Sequence, residues 1–245
     1  MFLSREGQRV PEVTFHTREG ERWVDVTTAQ LFAGKRVAAF ALPGAFTPTC
    51  SSAHLPRFNE LAPVFRENGL DDIICLAVND AFVMEAWKRD QRADQIRLIP
   101  DGNGEFADKM GMLVDMSRFG YGRRSWRYSM LVCDGLIEKM FIEPEREGDP
   151  FEVSDADTLL RYVNPAAREP PSITLFVRDG CRFCARARAL LQQRGFRFEE
   201  IRLGREVTER SLRAVTGASS VPQVYVNGRH IGGSDELEAW LREQP

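Results

Sequence analysis

The chain of 245 residues is long enough for one large domain or two of ordinary size, and 43% hydrophobic with 28% charged residues is the composition of a soluble globular protein. A net charge of −3 gives no reason to expect nucleic-acid binding, no apolar run approaches the roughly 20 residues of a membrane span, and the N-terminal MFLSREGQRVPEV lacks the apolar stretch of a secretory signal, so a cytoplasmic protein is expected. Five cysteines, an odd number, argue against a disulfide framework, and no Cys/His spacing suits zinc, so no metal is expected and the thiols read as redox groups or core filler.

In chain order, RVAAFALP (36–43) reads as a buried strand, followed by the loop GAFTPTCS and a helix running towards Asn68. DIICLAV (72–78) is a second buried strand, and Asn79 or Asp80 caps a helix through Lys88. IRLIP is a strand, and RYSMLVCD and LIEKMFIE form a hairpin about Asp134-Gly135. Ser154 with Asp157 resembles a capping box for the helix DADTLLRYV. Strands alternating with helices predict an α/β layered domain over residues 1–163.

Residues 164–171 open a proline-rich stretch, NPAAREPPS, which favours a stiff extended linker. A second domain, 172–245, begins with the strand ITLFV, then DGCRFC, then a helix that stops at Gly195. FRFEEIRL alternates as a strand, and EVTERSLRAVTG is a helix ending near Gly217. QVYV and RHIGG flank the turn pair Asn227-Gly228, and a last helix starts at Ser234 or Asp235. The order β-α-β-α-β-β-α, with CxxC opening the first helix, is that of a minimal thioredoxin-like domain. Two thioredoxin-like domains in tandem are therefore expected. The second carries 12 arginines, no lysine and 9 acidic residues, so a weak attraction between halves of opposite sign and simple compositional drift explain the charge asymmetry equally well.

Cys50 lies where a loop enters a helix, beside free backbone N–H groups and the positive end of the helix dipole, which stabilise a thiolate. Thr47, three residues earlier, can donate to that sulfur or accept from a bound peroxide. Taken alone, the placement fits a catalytic thiol and a buried structural one equally. PGAFTPTCS, however, resembles the active-site loop of peroxiredoxins, and CSSAHLP and YGRRSWRYSMLVCDG resemble the type-five subgroup, over roughly residues 3–163. The resemblance implies a catalytic set of Cys50, Thr47, Pro43 and Arg127, in which Arg127 stabilises both the thiolate and the departing alkoxide. Arg123 and Arg124 read as solvated loop arginines, and His54 as a packing or interface residue as readily as a chemical one. Cys75 and Cys133 read as buried, inert thiols, which leaves Cys50 without a partner inside its own domain.

CRFC places Cys181 at the exposed start of a helix, where its thiol should be acidic, with Arg178 and Arg182 adding positive charge and Cys184 shielded in the first turn. Residues 172–245 resemble glutaredoxins, through Cys181-Arg182-Phe183-Cys184, Ser220-Val221-Pro222 and Gly232-Gly233-Ser234-Asp235. The resemblance implies catalysis by Cys181 and Cys184, a cis Val221–Pro222 bond, and a glutathione site built from Arg178, Phe183, Val221, Pro222, Gly233, Ser234 and Asp235. Arg182 and Phe183 depart from the usual Pro and Tyr, and Arg210 is the one candidate for a second contact to the glycyl carboxylate.

The expected activity is glutathione-dependent reduction of hydrogen peroxide and small alkyl hydroperoxides. Cys50 becomes a sulfenic acid, glutathione converts it to a mixed disulfide, and Cys181 removes the glutathionyl group. No bound cofactor is needed, and a homo-oligomer, dimer or tetramer, is expected by resemblance. Two rivals are a general disulfide or deglutathionylation reductase and a redox-sensing scaffold.

Overall fold

The computed structural model describes residues 2–146, 148–168, 170–205 and 207–244. Its contacts separate residues 1–168 from 169–245. Glu169 of the expected linker lies outside the described residues. Asn164 and Ala167 fold back on the first unit, the former through Asn68 (2.7 Å) and the latter onto its apolar core, so the linker's first residues belong to that unit. Ser172 already belongs to the second unit, exchanging two 2.8 Å hydrogen bonds with Asn227.

The first unit begins with a hairpin, β1 (Thr14–Glu19) and β2 (Arg22–Thr27), and the short helix α1 (Thr28–Phe32). Next come β3 (Arg36–Leu42), a π-helical turn (Cys50–His54) running directly into α2 (Leu55–Glu67), β4 (Asp72–Ala77), α3 (Ala81–Asp90) and β5 (Arg97–Pro100). Helix α4 (Glu105–Lys109), a small hairpin of β6 (Leu113–Asp115) and β7 (Arg123–Ser125), β8 (Tyr128–Cys133), β9 (Leu136–Ile142) and α5 (Ala156–Val163) complete it. The main sheet has the order β5-β4-β3-β8-β9, with β3, β4 and β5 parallel and β8 and β9 antiparallel.

Both faces of this sheet are covered, which is why β3 and β4 read as unbroken apolar runs. Ala38, Phe40, Leu42, Ile73 and Cys75 face α2, α3 and α5, while the alternate residues Val37, Ala39, Ala41, Ile74 and Leu76 face Phe15, Leu31, Phe32 and Phe106. Phe58 of α2 stacks between Phe40 and Phe65, with centroids 4.0 and 5.9 Å away. The expected cap of α5 is corrected: Asp155, not Ser154, caps the helix by accepting from the Thr158 N–H at 2.9 Å. Ser154 is buried and its hydroxyl donates to Glu143 (2.7 Å), while Asp157 takes the Arg57 guanidinium.

The second unit runs β10 (Ile173–Val177), α6 (Arg182–Gln193), β11 (Glu199–Arg202), α7 (Glu209–Thr216), β12 (Gln223–Val226), β13 (Arg229–Gly232) and α8 (Ser234–Arg242). Its sheet order is β11-β10-β12-β13. Ile173, Leu175 and Val177 pack against Ala187 and Leu191 of α6 and Leu237 and Leu241 of α8. Gly195 and Gly217, both at positive φ, end α6 and α7. Both units thus have the expected thioredoxin-like α/β layout. Among the described residues, no helix is long and apolar enough to cross a membrane.

Candidate active site

Strand β3 delivers Pro43 and Gly44 into the loop that precedes Cys50. The loop is pinned from outside: Ala45 N–H donates to Asn79 Oδ1 (2.9 Å), and Arg124 donates to the carbonyls of Val78 (3.1 Å) and Tyr121 (2.8 Å). A Cβ at position 44 would lie 2.8 Å from Arg124 Nη1, so the close approach favours glycine. Arg124 is accordingly half-buried in β7 rather than a solvated loop residue; Arg123, in the same strand, is exposed and pairs with Asp108. Thr47 donates its hydroxyl proton to the Gly44 carbonyl (2.8 Å). That single proton is therefore not aimed at sulfur, which corrects one of the two expected roles and leaves Thr47 as an acceptor.

Helical hydrogen bonding starts with Ser51 N–H to the Thr47 carbonyl (3.0 Å), so Cys50 sits in the first turn, where backbone N–H groups have no intrahelical acceptor. The π-helical geometry from Cys50 to His54 is a local departure of the sort that recurs at functional sites. Cys50 is fully buried, and the next residue, Ser51, accepts from Trp87 Nε1 at 3.0 Å.

Arg127 stands immediately before β8 and is 1% exposed. Its Nη1 lies 3.5 Å from Cys50 Sγ and 3.1 Å from His54 Nδ1, its Nη2 pairs with Asp149, and its guanidinium lies 5.5 Å from the centre of the Phe151 ring. Among the described residues its Nε–H meets no acceptor. The His54 ring packs among Phe40, Phe58 and Phe151. Burial, reinforced by the Arg127 charge, holds His54 well below the usual histidine range, so the ring is neutral. A carbonyl can only accept, so Nε2 carries the proton and donates to Ser154 O (3.1 Å); Arg127 can only donate, so Nδ1 receives its N–H. His54 is thus a hydrogen-bond partner of the guanidinium as well as a packed ring.

Cys75 is fully buried in β4, and burial, then the neighbouring Cys50, push its thiol well above the ordinary value. Cys133 departs from expectation. It ends β8 half-buried and donates to Glu138 (3.0 Å); burial and that carboxylate push its thiol up as well.

In the second unit Cys181 caps α6, and its sulfur accepts from Cys184 N–H at 3.2 Å and lies 3.6 Å from the Val221 carbonyl. Burial opposes ionisation of Cys181, but the Cys184 thiol, the N–H groups of Cys184 and Phe183 and the Arg178 charge outweigh it, so the thiol lies below its ordinary value. Cys184 is fully buried and pushed up to about 11 by burial and by its bond to Cys181. Arg182 lies with its guanidinium 4.7 Å from the centre of the half-exposed Phe183 ring; the cation acting on Cys181 is Arg178.

Val221–Pro222 is cis. A Cβ on Gly233 would lie 3.6 Å from the Pro222 carbonyl oxygen, which places the cis segment beside the start of α8. There the N–H groups of Ser234 and Asp235 open the helix without intrahelical acceptors. Two residues intended for a ligand are already engaged: Arg178 pairs with Glu209, and Asp235 accepts from Arg186 at 2.7 Å. Arg210 is exposed in α7 and acquires no role. Sequence reasoning missed Asp149, Phe151, Glu143, Ser154, Glu209 and Arg186. Asp149, Phe151 and Ser154 lie in or beside an irregular loop with no periodic signal.

Comparison with known proteins divides the chain in the same order. The Redoxin family profile matches residues 5–160 and the Glutaredoxin profile residues 173–231. The chain is 60% identical to the hybrid peroxiredoxin hyPrx5 of Haemophilus influenzae, over 97% of this chain and 99% of that protein. A Synechocystis peroxiredoxin is 57% identical over 68% of this chain and 94% of its own. Among solved structures, reduced Prx3 of Vibrio vulnificus in complex with H2O2 is 40% identical, with a TM-score of 0.62, covering 66% of this chain and 99% of that one.

Proposed function

The chain belongs to the redoxin family, as a peroxiredoxin with a fused glutaredoxin domain and the activity of a peroxidase, and on that premise we propose that it reduces hydrogen peroxide and small alkyl hydroperoxides with electrons from glutathione. One observation carries the reading: a permanently charged guanidinium lies 3.5 Å from a sulfur at the start of a helix, both buried.

The Cys50 thiolate attacks the distal peroxide oxygen along the O–O axis. The O–O bond breaks, the departing oxygen leaves as an alcohol or water after taking a proton, and Cys50 becomes a sulfenic acid. Arg127 faces the negative charge that shifts from sulfur to the leaving oxygen, and Thr47, whose hydroxyl is oriented by Gly44, accepts from the peroxide O–H. Glutathione condenses with the sulfenic acid, giving a Cys50–glutathione disulfide and water. The Cys181 thiolate attacks the glutathione sulfur and frees Cys50. A second glutathione then releases oxidised glutathione and restores Cys181.

The two thiols of CRFC favour a monothiol route. Cys181 is held below its ordinary value and Cys184 is pushed up to about 11, so Cys184 stays auxiliary. We assign glutathione to Val221, Pro222, Phe183, Gly233, Ser234, Asp235 and Arg178 on the strength of the glutaredoxin resemblance. We place this chemistry in the cytoplasm and in a homo-oligomer on the strength of the resemblance; sedimentation tests the assembly. The function is tested by peroxide turnover with glutathione for Cys50→Ser and Cys181→Ser. Both should be inactive. Turnover retained in Cys50→Ser would remove the peroxidase role of that thiol, and turnover retained in Cys181→Ser would remove the relay.

A further inference from the structure

We propose that Glu143 is a positioning residue for the reaction at Cys50, acting through Ser154 and His54 to hold the Arg127 guanidinium on the sulfur. The inference rests on Cys50 being the peroxide-reactive thiol.

Glu143 directly follows β9 and is 1% exposed. A carboxyl group buried in such a place requires hydrogen-bond partners. It receives four, all neutral: the N–H groups of Glu152 (2.9 Å), Val153 (3.0 Å) and Ser154 (2.8 Å), and the Ser154 hydroxyl (2.7 Å). Residues 152–154 belong to no helix or strand. No ladder fixes their backbone, and the carboxylate gathers three successive N–H groups instead.

The bonds from Glu143 close a ring. On its main-chain side, Glu143 N–H donates to the Arg127 carbonyl (3.1 Å), one step beyond the Tyr128–Ile142 pair that ends the β8–β9 ladder. Its own carbonyl accepts from Trp126 Nε1 at 2.9 Å. On its side-chain side it fixes Ser154, whose carbonyl takes the Nε2 proton of His54 (3.1 Å). That bond presents Nδ1 of the neutral ring to Arg127 Nη1 (3.1 Å), and the same nitrogen faces Cys50 Sγ. The ring therefore starts from the backbone of Arg127 and returns to its guanidinium. Asp149 engages only Nη2 and is partly exposed, so the buried nitrogen nearest the sulfur is aimed by the Glu143 branch.

The test uses the full chain with Glu143→Gln. An amide has one oxygen where the carboxylate has two, and its NH2 would meet a backbone N–H. The expected result is a folded protein whose rate constant with H2O2 falls about tenfold, since small misplacements of a catalytic group carry losses of that order or larger. The pH midpoint of Cys50 alkylation should move upward, while Cys181 alkylation, in the other unit, stays fixed as an internal control. Wild-type rate and midpoint would overturn the proposal. So would a slower rate with an unmoved midpoint, because the loss would not pass through the Arg127–Cys50 contact. Should Glu143→Gln not fold, Ser154→Ala decides: it deletes one donor and should slow the reaction by about two- to tenfold, the scale of one neutral hydrogen bond, and move the midpoint upward, and unchanged values overturn it. Peroxide turnover surviving in Cys50→Ser would instead sink the underlying reading. A dead Cys50→Ser beside a wild-type-like Glu143→Gln sinks this inference alone.

Discussion

Arg127 Nη1 lies 3.1 Å from His54 Nδ1, so the guanidinium that faces Cys50 is held by a ring four residues further along the same helix. The contact exists only while that ring is neutral, because a protonated Nδ1 is a donor and the two groups would repel.

His54 therefore makes the first unit acid-sensitive. Its folded-state proton affinity is depressed by burial and by Arg127, while the unfolded ring titrates near about 6.5. Below that pH the unfolded chain binds more protons, so stability is fully present above the unfolded value and is lost as pH falls towards the folded one. Denaturant melts should weaken by up to about 1.4 kcal/mol per pH unit in that window. The slope should flatten in His54→Asn; an identical slope in that variant would assign the sensitivity elsewhere.

Arg127→Lys keeps the charge and loses the fork. A guanidinium meets Cys50, His54 and Asp149 at once through two nitrogens, whereas one ammonium on a flexible stem does not. Stopped-flow reaction with H2O2 should slow by about a hundredfold, the size of losing an oriented donor at a developing negative charge. A change under threefold would mean that charge alone suffices.

The two thiols of CRFC should separate cleanly under alkylation. Cys184, pushed up to about 11, has a thiolate fraction on the order of one in ten thousand at pH 7 and is fully buried. Substoichiometric iodoacetamide followed by peptide mapping should label Cys181 well ahead of Cys184. Cys184→Ser should retain most glutathione-linked turnover; a dead variant would require a dithiol route.

Glu209 competes for Arg178. The pair is exposed on both sides, which limits its strength to about 1 kcal/mol or less. Glu209→Gln should release Arg178 for a carboxylate and lower KM for glutathione by up to about fivefold, with kcat little changed. An unchanged or higher KM would show that Arg178 does not contact glutathione.

The framework was legible wherever burial imposed a pattern. RVAAFAL and DIICLA are covered on both faces and read as unbroken apolar runs; Asn227-Gly228 and Asp134-Gly135 mark tight turns by chemistry alone. The hairpin Thr14–Thr27 has one half-wetted face and mixed side chains, and β6 and β7 have three residues each, too few to show a period. The cap of α5 failed for a different reason. Ser154 and Asp155 are both capping residues, and the choice is made by Glu143, which captures Ser154 from eleven positions away. In the site, Cys50 and Arg127 were visible through motif resemblance. The groups that aim Arg127 were not, since Asp149 meets its Nη2, and Ser154 orients the His54 ring that meets its Nη1, through tertiary folding rather than spacing.

Trp87 is fully buried, and its indole N–H is bonded to the hydroxyl of the residue that follows Cys50. Any rearrangement of the π-helical turn as the sulfur gains oxygen or a glutathionyl group must strain or release that bond. The chain thus carries an intrinsic fluorophore bonded one residue from its reacting atom, and a change in tryptophan emission during a single turnover, lost in Trp87→Phe, is the expected readout.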